Sequence, residues 1–206
     1  LAGNSDSPYI LGLQQALAWQ GWASVVLNFR GCSGQPNRLA RAYHAGETDD
    51  LMCVWHYLRQ RYPARKLAVV GFSLGGNVLL KWLGEGRTIV GLAAAVAVSV
   101  PLRLDLCATR LDSGGSRCYR EYLLRDLKRY MRRKQQALQQ HGQLEEAGRI
   151  QRLGNLDGIH SFWTYDDRVV APLHGFKGVD EYYHRSSGRQ YLRHITHPCL
   201  LLQAED

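Results

Sequence analysis

The chain has 206 residues, 45% of them hydrophobic and 21% charged, with a formal net charge of +8. That is enough apolar content for one sizeable core and too little length for a second full domain, so residues 1–206 are read as a single unit. No run approaches the roughly 20 apolar residues of a membrane-spanning helix, and Leu1 to Ser7 carries neither a basic segment nor an apolar signal core, which points to a soluble protein. Five cysteines (Cys32, Cys53, Cys107, Cys118, Cys199) are odd in number and form no CxxC pair. This argues against a disulfide framework or a zinc site and for a reducing, cytoplasmic setting. No metal or organic cofactor is implied.

Along the chain, strand and helix signals alternate at first. Pro8 to Trp19 reads as a helix, and Ala23 to Phe29 (ASVVLNF) as a short strand entered after Gly21. Asp49 to Arg61 is a second helix, with Thr48 as its expected N-cap, two acidic residues in its first turn, and Leu51, Trp55 and Leu58 on one face. Leu67 to Gly71 (LAVVG), Val90 to Val100 (VGLAAAVAVSV) and Cys199 to Gln203 (CLLLQ) are further strands. Their continuous apolar character, without alternation, predicts a parallel sheet covered on both faces. The fold class is α/β, a mostly parallel sheet with flanking helices.

From Leu102 to His197 the alternation lapses. Roughly 95 residues between two strands far exceeds what a crossover needs, so 102–197 is read as a mostly helical insertion capping the sheet. Within it, Ser116 to Gln140 has Tyr119, Leu123, Leu127, Tyr130 and Met131 at the spacing of one apolar face. Between Arg103 and Arg152 there are twelve Lys and Arg against six Asp and Glu, so most of the positive charge is local. A solvated helix face is its plain explanation. Weak contact of this basic cap helix with a membrane surface is the lesser expectation, and nucleic acid is not expected as a partner.

Gly71-Phe72-Ser73-Leu74-Gly75-Gly76 fits the nucleophile elbow, G-x-S-x-G, which holds a serine on a tight strand-to-helix turn. In a chain with 21 glycines the pentapeptide alone says little. Here it follows the apolar run Leu67 to Val70 and precedes the helical stretch Asn77 to Gly84, which is the context the motif needs. The turn lifts the Ser73 hydroxyl off the sheet, and Gly71 and Gly75 are expected to remove side chains that would collide with the packed strand and helix. The backbone N–H of Leu74, at the helix start, would face a developing oxyanion. An inert or phosphate-binding glycine-rich turn is the alternative.

Other candidates carry less. Cys32, in Arg30-Gly31-Cys32-Ser33-Gly34, lacks any neighbouring base or helix start and reads as a small buried turn residue. His194 and His197 precede the last strand, the wrong chain order for the base of such an elbow. Asp49 and Asp50 are adjacent on a helix and face different ways, so they are not a carboxylate dyad.

Longer strings then narrow the reading: NSDSPY at 4–9, NFRGCSGQPN at 28–37, YHAGETDD at 43–50, GFSLGGN at 71–77, HGF at 174–176 with DEYY at 180–183, and PCLLLQAED at 198–206. Taken together they resemble the YheT-like α/β-hydrolases, a family that includes yeast medium-chain fatty acid ester synthases. The resemblance implies hydrolysis of a small-molecule carboxylic ester, short- to medium-chain in its acyl part, through an acyl-enzyme on Ser73. Acyl transfer to an alcohol, or a basic lipid- or nucleic-acid-binding module, are the alternatives. It also implies that Leu1 is the third residue of a His-Gly-Leu oxyanion loop. By the same resemblance the triad acid would be the second Asp of an Asp-Asp-Pro string, of which Asp206 matches only the first, and the base the histidine of a Gly-Gly-His string farther on. The expectation is a chain trimmed at both ends and nearly inactive as given, with oligomeric state left open.

Overall fold

The computed structural model describes residues 3–205. Helices α1 (Pro8–Trp19) and α2 (Asp49–Arg61) come first, with the bounds the sequence predicts. Pro8 pre-sets the φ of a first helical turn, where its missing N–H has no partner to lose. The α2 first turn carries Asp49 and Asp50 and its last turn Arg59 and Arg61, each sign matched to the helix dipole. Thr48 occupies the N-cap position but does not cap, because its hydroxyl donates instead to Glu85 Oε2 at 2.7 Å.

Three strands form the sheet: β1 (Leu67–Phe72), β2 (Leu92–Val98) and β3 (Cys199–Leu202), in the order β1-β2-β3 with both pairs parallel. Gly71 lies opposite Ala97, and Val98 in turn lies opposite Leu202. The fold is therefore α/β with a parallel sheet and flanking helices, as the alternation predicts. The run 23–29 is a correction, since it takes no part in the sheet among the described residues. A β-rich composition describes how side chains pack, whereas a strand exists only when a neighbour takes its N–H and C=O groups. Asn28 instead holds Ser5, accepting from its N–H at 2.8 Å.

Helix α3 (Leu74–Gly84) makes the crossover between β1 and β2 and is buried nearly all round. One side meets α2, where Trp82 and Trp55 stand edge to face at 5.5 Å. Leu79, Leu83 and Ala95 complete that cluster, while Leu80, Ala97 and Val100 form a second one toward the 3₁₀ helix Gly188–His194. That helix closes on α3 because Gly84 has no side chain. A Cβ there would stand 2.4 Å from the Tyr191 carbonyl oxygen. Each large apolar side chain so buried contributes about 1.5–3 kcal/mol.

Between β2 and β3 run α4 (Leu104–Leu111), α5 (Ser116–Gln140), α6 (Leu144–Gln151), α7 (Phe162–Tyr165), a π-helical turn (Asp166–Val170), α8 (Ala171–His174) and α9 (Val179–Ser186). Their largest core cluster includes Leu124, Met131, Ile150, Ile159 and Val169 and reaches Ala40 and Ala45 of the loop before α2. On α5, Leu123 and Met131 face this core, but Tyr119 is 56% exposed, so the apolar stripe is narrower than its spacing predicts. Lys134 also departs from the basic surface, being fully buried with Nζ at 2.8 Å from both Asn37 Oδ1 and the Arg41 carbonyl. No described helix is long and apolar enough to cross a membrane.

Asn77, 0% exposed on α3, joins these parts. Its amide donates to the carbonyls of Ala45 at 2.9 Å and Ser186 at 2.7 Å, and its Oδ1 accepts from the Gly188 N–H at 2.7 Å. Asn77→Leu would leave two carbonyls and one N–H buried without partners, at roughly 1–3 kcal/mol each. The expected loss is roughly 3–5 kcal/mol, read as a lower urea midpoint at unchanged m-value. A loss under about 1 kcal/mol would show that these bonds do not hold the three segments together.

Candidate active site

The elbow follows directly from the end of β1. Ser73 leaves the strand at φ 49°, ψ −120°, a conformation that costs a non-glycine residue strain, and α3 begins at the next residue. Its N–H donates to the Val98 carbonyl at 2.8 Å, tying the turn to the end of β2. Ser73 is exposed, and no side chain among the described residues hydrogen-bonds its hydroxyl. The Leu74 N–H lies in the first turn of α3, where donors lack intrahelical partners and the dipole favours negative charge. Leu1, expected to supply a second oxyanion donor, lies outside the described residues.

The glycines of the motif divide differently from the expectation. A Cβ on Gly71 would stand 2.6 Å from the Gly75 carbonyl oxygen and 2.8 Å from Gly76 Cα. One on Gly76 would stand 2.6 Å from Val100 Cγ2, but one on Gly75 would meet nothing within 4 Å. The close approach of strand and helix thus rests on Gly71 and Gly76. The role given to Gly75 is corrected, because a side chain there would stand in open space.

Ser73 and Leu74 open into a cavity of about 850 Å³ beneath the helical segment. Its walls are mainly apolar, with Leu104, Leu123, Met131, Phe162, Val169 and Leu173 among them. Cys32 lines it too, but burial pushes its thiol up to about 11, so it is no thiolate nucleophile. His194 is exposed and accepts from its neighbour Arg193, while His197 contacts the Ile89 carbonyl just before β2. That places His197 at the opposite end of the sheet from Ser73, since β2 alone spans seven residues, about 20 Å. Asp49 pairs with Arg87 and Asp50 with Arg30, on different faces of α2.

Three polar groups of the cavity are not legible from their sequence neighbourhoods. His44 packs edge-on against His174, Phe176 and Tyr182, and its Nδ1 accepts from the Gly46 N–H at 3.1 Å. Burial, reinforced by the nearby His174, Lys81, Arg41 and Arg185, lowers its pKa to about 3. It is a neutral structural ring and a poor base. His174 faces two carbonyls, Val170 at 2.8 Å and Ala42 at 3.1 Å, of which a neutral imidazole can donate to only one. Asp166 opens the π-helical turn and takes a hydrogen bond from Tyr183 Oη at 2.7 Å. Burial raises its carboxyl to about 7, opposed by that bond. Among the described residues no cluster of three metal-ligating side chains occurs.

Comparison with known proteins gives the family of this fold. Residues 1–147 fit the family described as alpha/beta hydrolase fold. The chain belongs to that family. Its whole length is 37% identical to the Escherichia coli protein named "Putative esterase YheT", covering 58% of that protein. It is 28% identical to a Saccharomyces cerevisiae monoacylglycerol lipase, covering 46% of it, and 28% identical to the human monoacylglycerol lipase ABHD2, covering 50%. The chain thus spans about half the length of the curated relatives it matches. No solved structure gives a significant match. The likeness to YheT holds over all 206 residues, as the dispersed motifs of this α/β-hydrolase predict.

Two outcomes test the site's construction. Gly71→Ala is expected to cost about 2–4 kcal/mol, because backbone atoms must move, whereas Gly75→Ala is expected to be neutral or to gain up to about 1 kcal/mol as a helix substitution. Thermal unfolding of the two variants compares them, and equal losses would overturn the assignment. The unfolded chain protonates His44 near pH 6.5 but the folded one only near 3. Stability from this group is therefore complete above about 6.5 and lost as pH falls toward 3, with a slope of up to about 1.4 kcal/mol per pH unit. His44→Phe should flatten this acid limb in urea titrations between pH 4 and 6.5, and an unchanged slope would count against a neutral buried ring.

Proposed function

We propose that the full-length protein is a serine hydrolase of carboxylic esters, with Ser73 as nucleophile. The observation that carries the reading is the exposed, strained Ser73 at the carboxyl end of a parallel strand, opening into an apolar cavity of about 850 Å³. A volume of that order suits a small organic ligand, and apolar walls suit an acyl chain. The names of the relatives, an esterase and monoacylglycerol lipases, support ester hydrolysis, with short- to medium-chain acyl groups as our reading of the substrate.

In this mechanism Ser73 Oγ attacks the ester carbonyl carbon while a general base takes its proton. The carbonyl oxygen becomes an oxyanion facing the Leu74 N–H, and collapse breaks the bond to the alcohol, which leaves with the proton. Water then attacks the acyl-serine and releases the acid. We propose that the base and the carboxylate that orients it belong to the part of the relatives' length that this chain does not span. We further propose that residues 102–197 act as a cap, since their helices supply most of the cavity wall. Electrostatic stabilisation by the N–H would gain strength as a bound substrate displaces water from the cavity.

A fluorophosphonate probe should label Ser73 in the full-length protein, and Ser73→Ala should abolish labelling and lower turnover of an octanoate ester by at least about 10³-fold. Ester turnover that survives in Ser73→Ala, or a labelled residue other than Ser73, would overturn the proposal.

A further inference from the structure

Asp166 is a carboxyl placed where the fold has little use for one. It lines the cavity, in a wall otherwise built from groups such as Phe162, Val169 and Leu173. No Lys, Arg or His forms an ion pair with it among the described residues, and its ionisable neighbours are the phenols Tyr165, Tyr182 and Tyr183. Tyr183 satisfies Oδ2, while Oδ1 takes no hydrogen bond from any described residue. Asp166 is only partly buried, and Oδ1 is not among the buried polar atoms left without a partner, so it stands open to water or to a ligand. Anchoring Tyr183 alone would be done as well by an amide.

The backbone around it is also unusual. Phe162 to His174 is one continuous rod in which Asp166–Val170 widens into a π-helical turn, opening directly at Asp166. Such turns re-aim side chains and recur at functional sites. From these observations we propose that Asp166 forms a polar subsite inside the cavity that receives a free hydroxyl of the substrate. The substrate class is then an ester with a hydroxyl in its alcohol or acyl part. This rests on the hydrolase reading of Ser73. Asp166 is a specificity residue and takes no part in bond breaking. A substrate hydroxyl that takes the place of water on Oδ1 gains a hydrogen bond to a carboxylate, which is worth about tenfold or more in kcat/KM.

The experiment uses the full-length protein and two substrate pairs: 1-octanoylglycerol against propyl octanoate, and ethyl 8-hydroxyoctanoate against ethyl octanoate. The wild type is expected to favour the hydroxylated member of one pair by about tenfold or more in kcat/KM. The first pair responding places Asp166 beside the alcohol, and the second places it beside the far end of the acyl chain. Asp166→Leu combined with Tyr183→Phe orphans no phenol, and should bring the preference near one while Ser73 still reacts with fluorophosphonate and the plain ester is still cleaved. Asp166→Asn should lower the preference by a few fold. Labelled wild type with no preference in either pair overturns the subsite alone, as does a preference unchanged in the labelled double variant. If the double variant does not label, an unchanged ratio in Asp166→Asn overturns it. Failure of the wild type to label at Ser73 overturns the hydrolase reading and this inference with it.

Discussion

The side chain of Asn77 is the point at which three distant stretches of chain are made to agree. One amide, buried at the first turns of α3, takes up the carbonyls of Ala45 and Ser186 and the N–H of Gly188. The helix that begins at Ser73 is thereby fixed to the loop that forms one cavity wall and to the segment by which the chain returns from the helical insertion. A buried amide with both ends matched tolerates little drift, because any shift leaves polar backbone without water. The neighbouring glycines add a distance constraint: Gly71 and Gly76 let strand and helix meet at backbone contact. The strain at Ser73 is held from both sides.

The electrostatics of the cavity follow from the burial of the groups that line it. Burial lowers His44 and Lys134, the latter to about 7, and raises Cys32, Tyr130 and Asp166. In every case the charged form is the one disfavoured. Cys32, a thiol candidate in the sequence, and His44 are thus muted by the same wall that suits an apolar chain. Ser73 escapes this because its hydroxyl is neutral and stands on the exposed side of the turn.

Much of the fold is legible because local punctuation marks it. Pro8, the acidic pair after Thr48, and the glycines around 114–115 and 142 bound α1, α2 and α5 where the structure has them. The elbow is legible for the same reason, as a motif between a strand signal and a helix signal. What fails is whatever depends on partners far along the chain. The run 23–29 has strand composition but no ladder, Thr48 turns to Glu85 rather than to its own helix, and Gly75 proves less confined than Gly76. Asn77 and Asp166 sit in unremarkable sequence, and their importance arises from residues about a hundred positions away and from a cavity wall, respectively.

The largest apolar cluster belongs to the helical segment and not to the sheet, and Ala40 and Ala45 are built into it. Lifting that segment as a hinged flap would expose this cluster and break the Lys134 and Asn77 attachments in one step. Ser73 is already exposed and the cavity is not closed over, so a molecule can reach the serine without that segment lifting. Discrimination among ligands would then rest on their fit to a wall already formed, and not on the rate at which a lid opens.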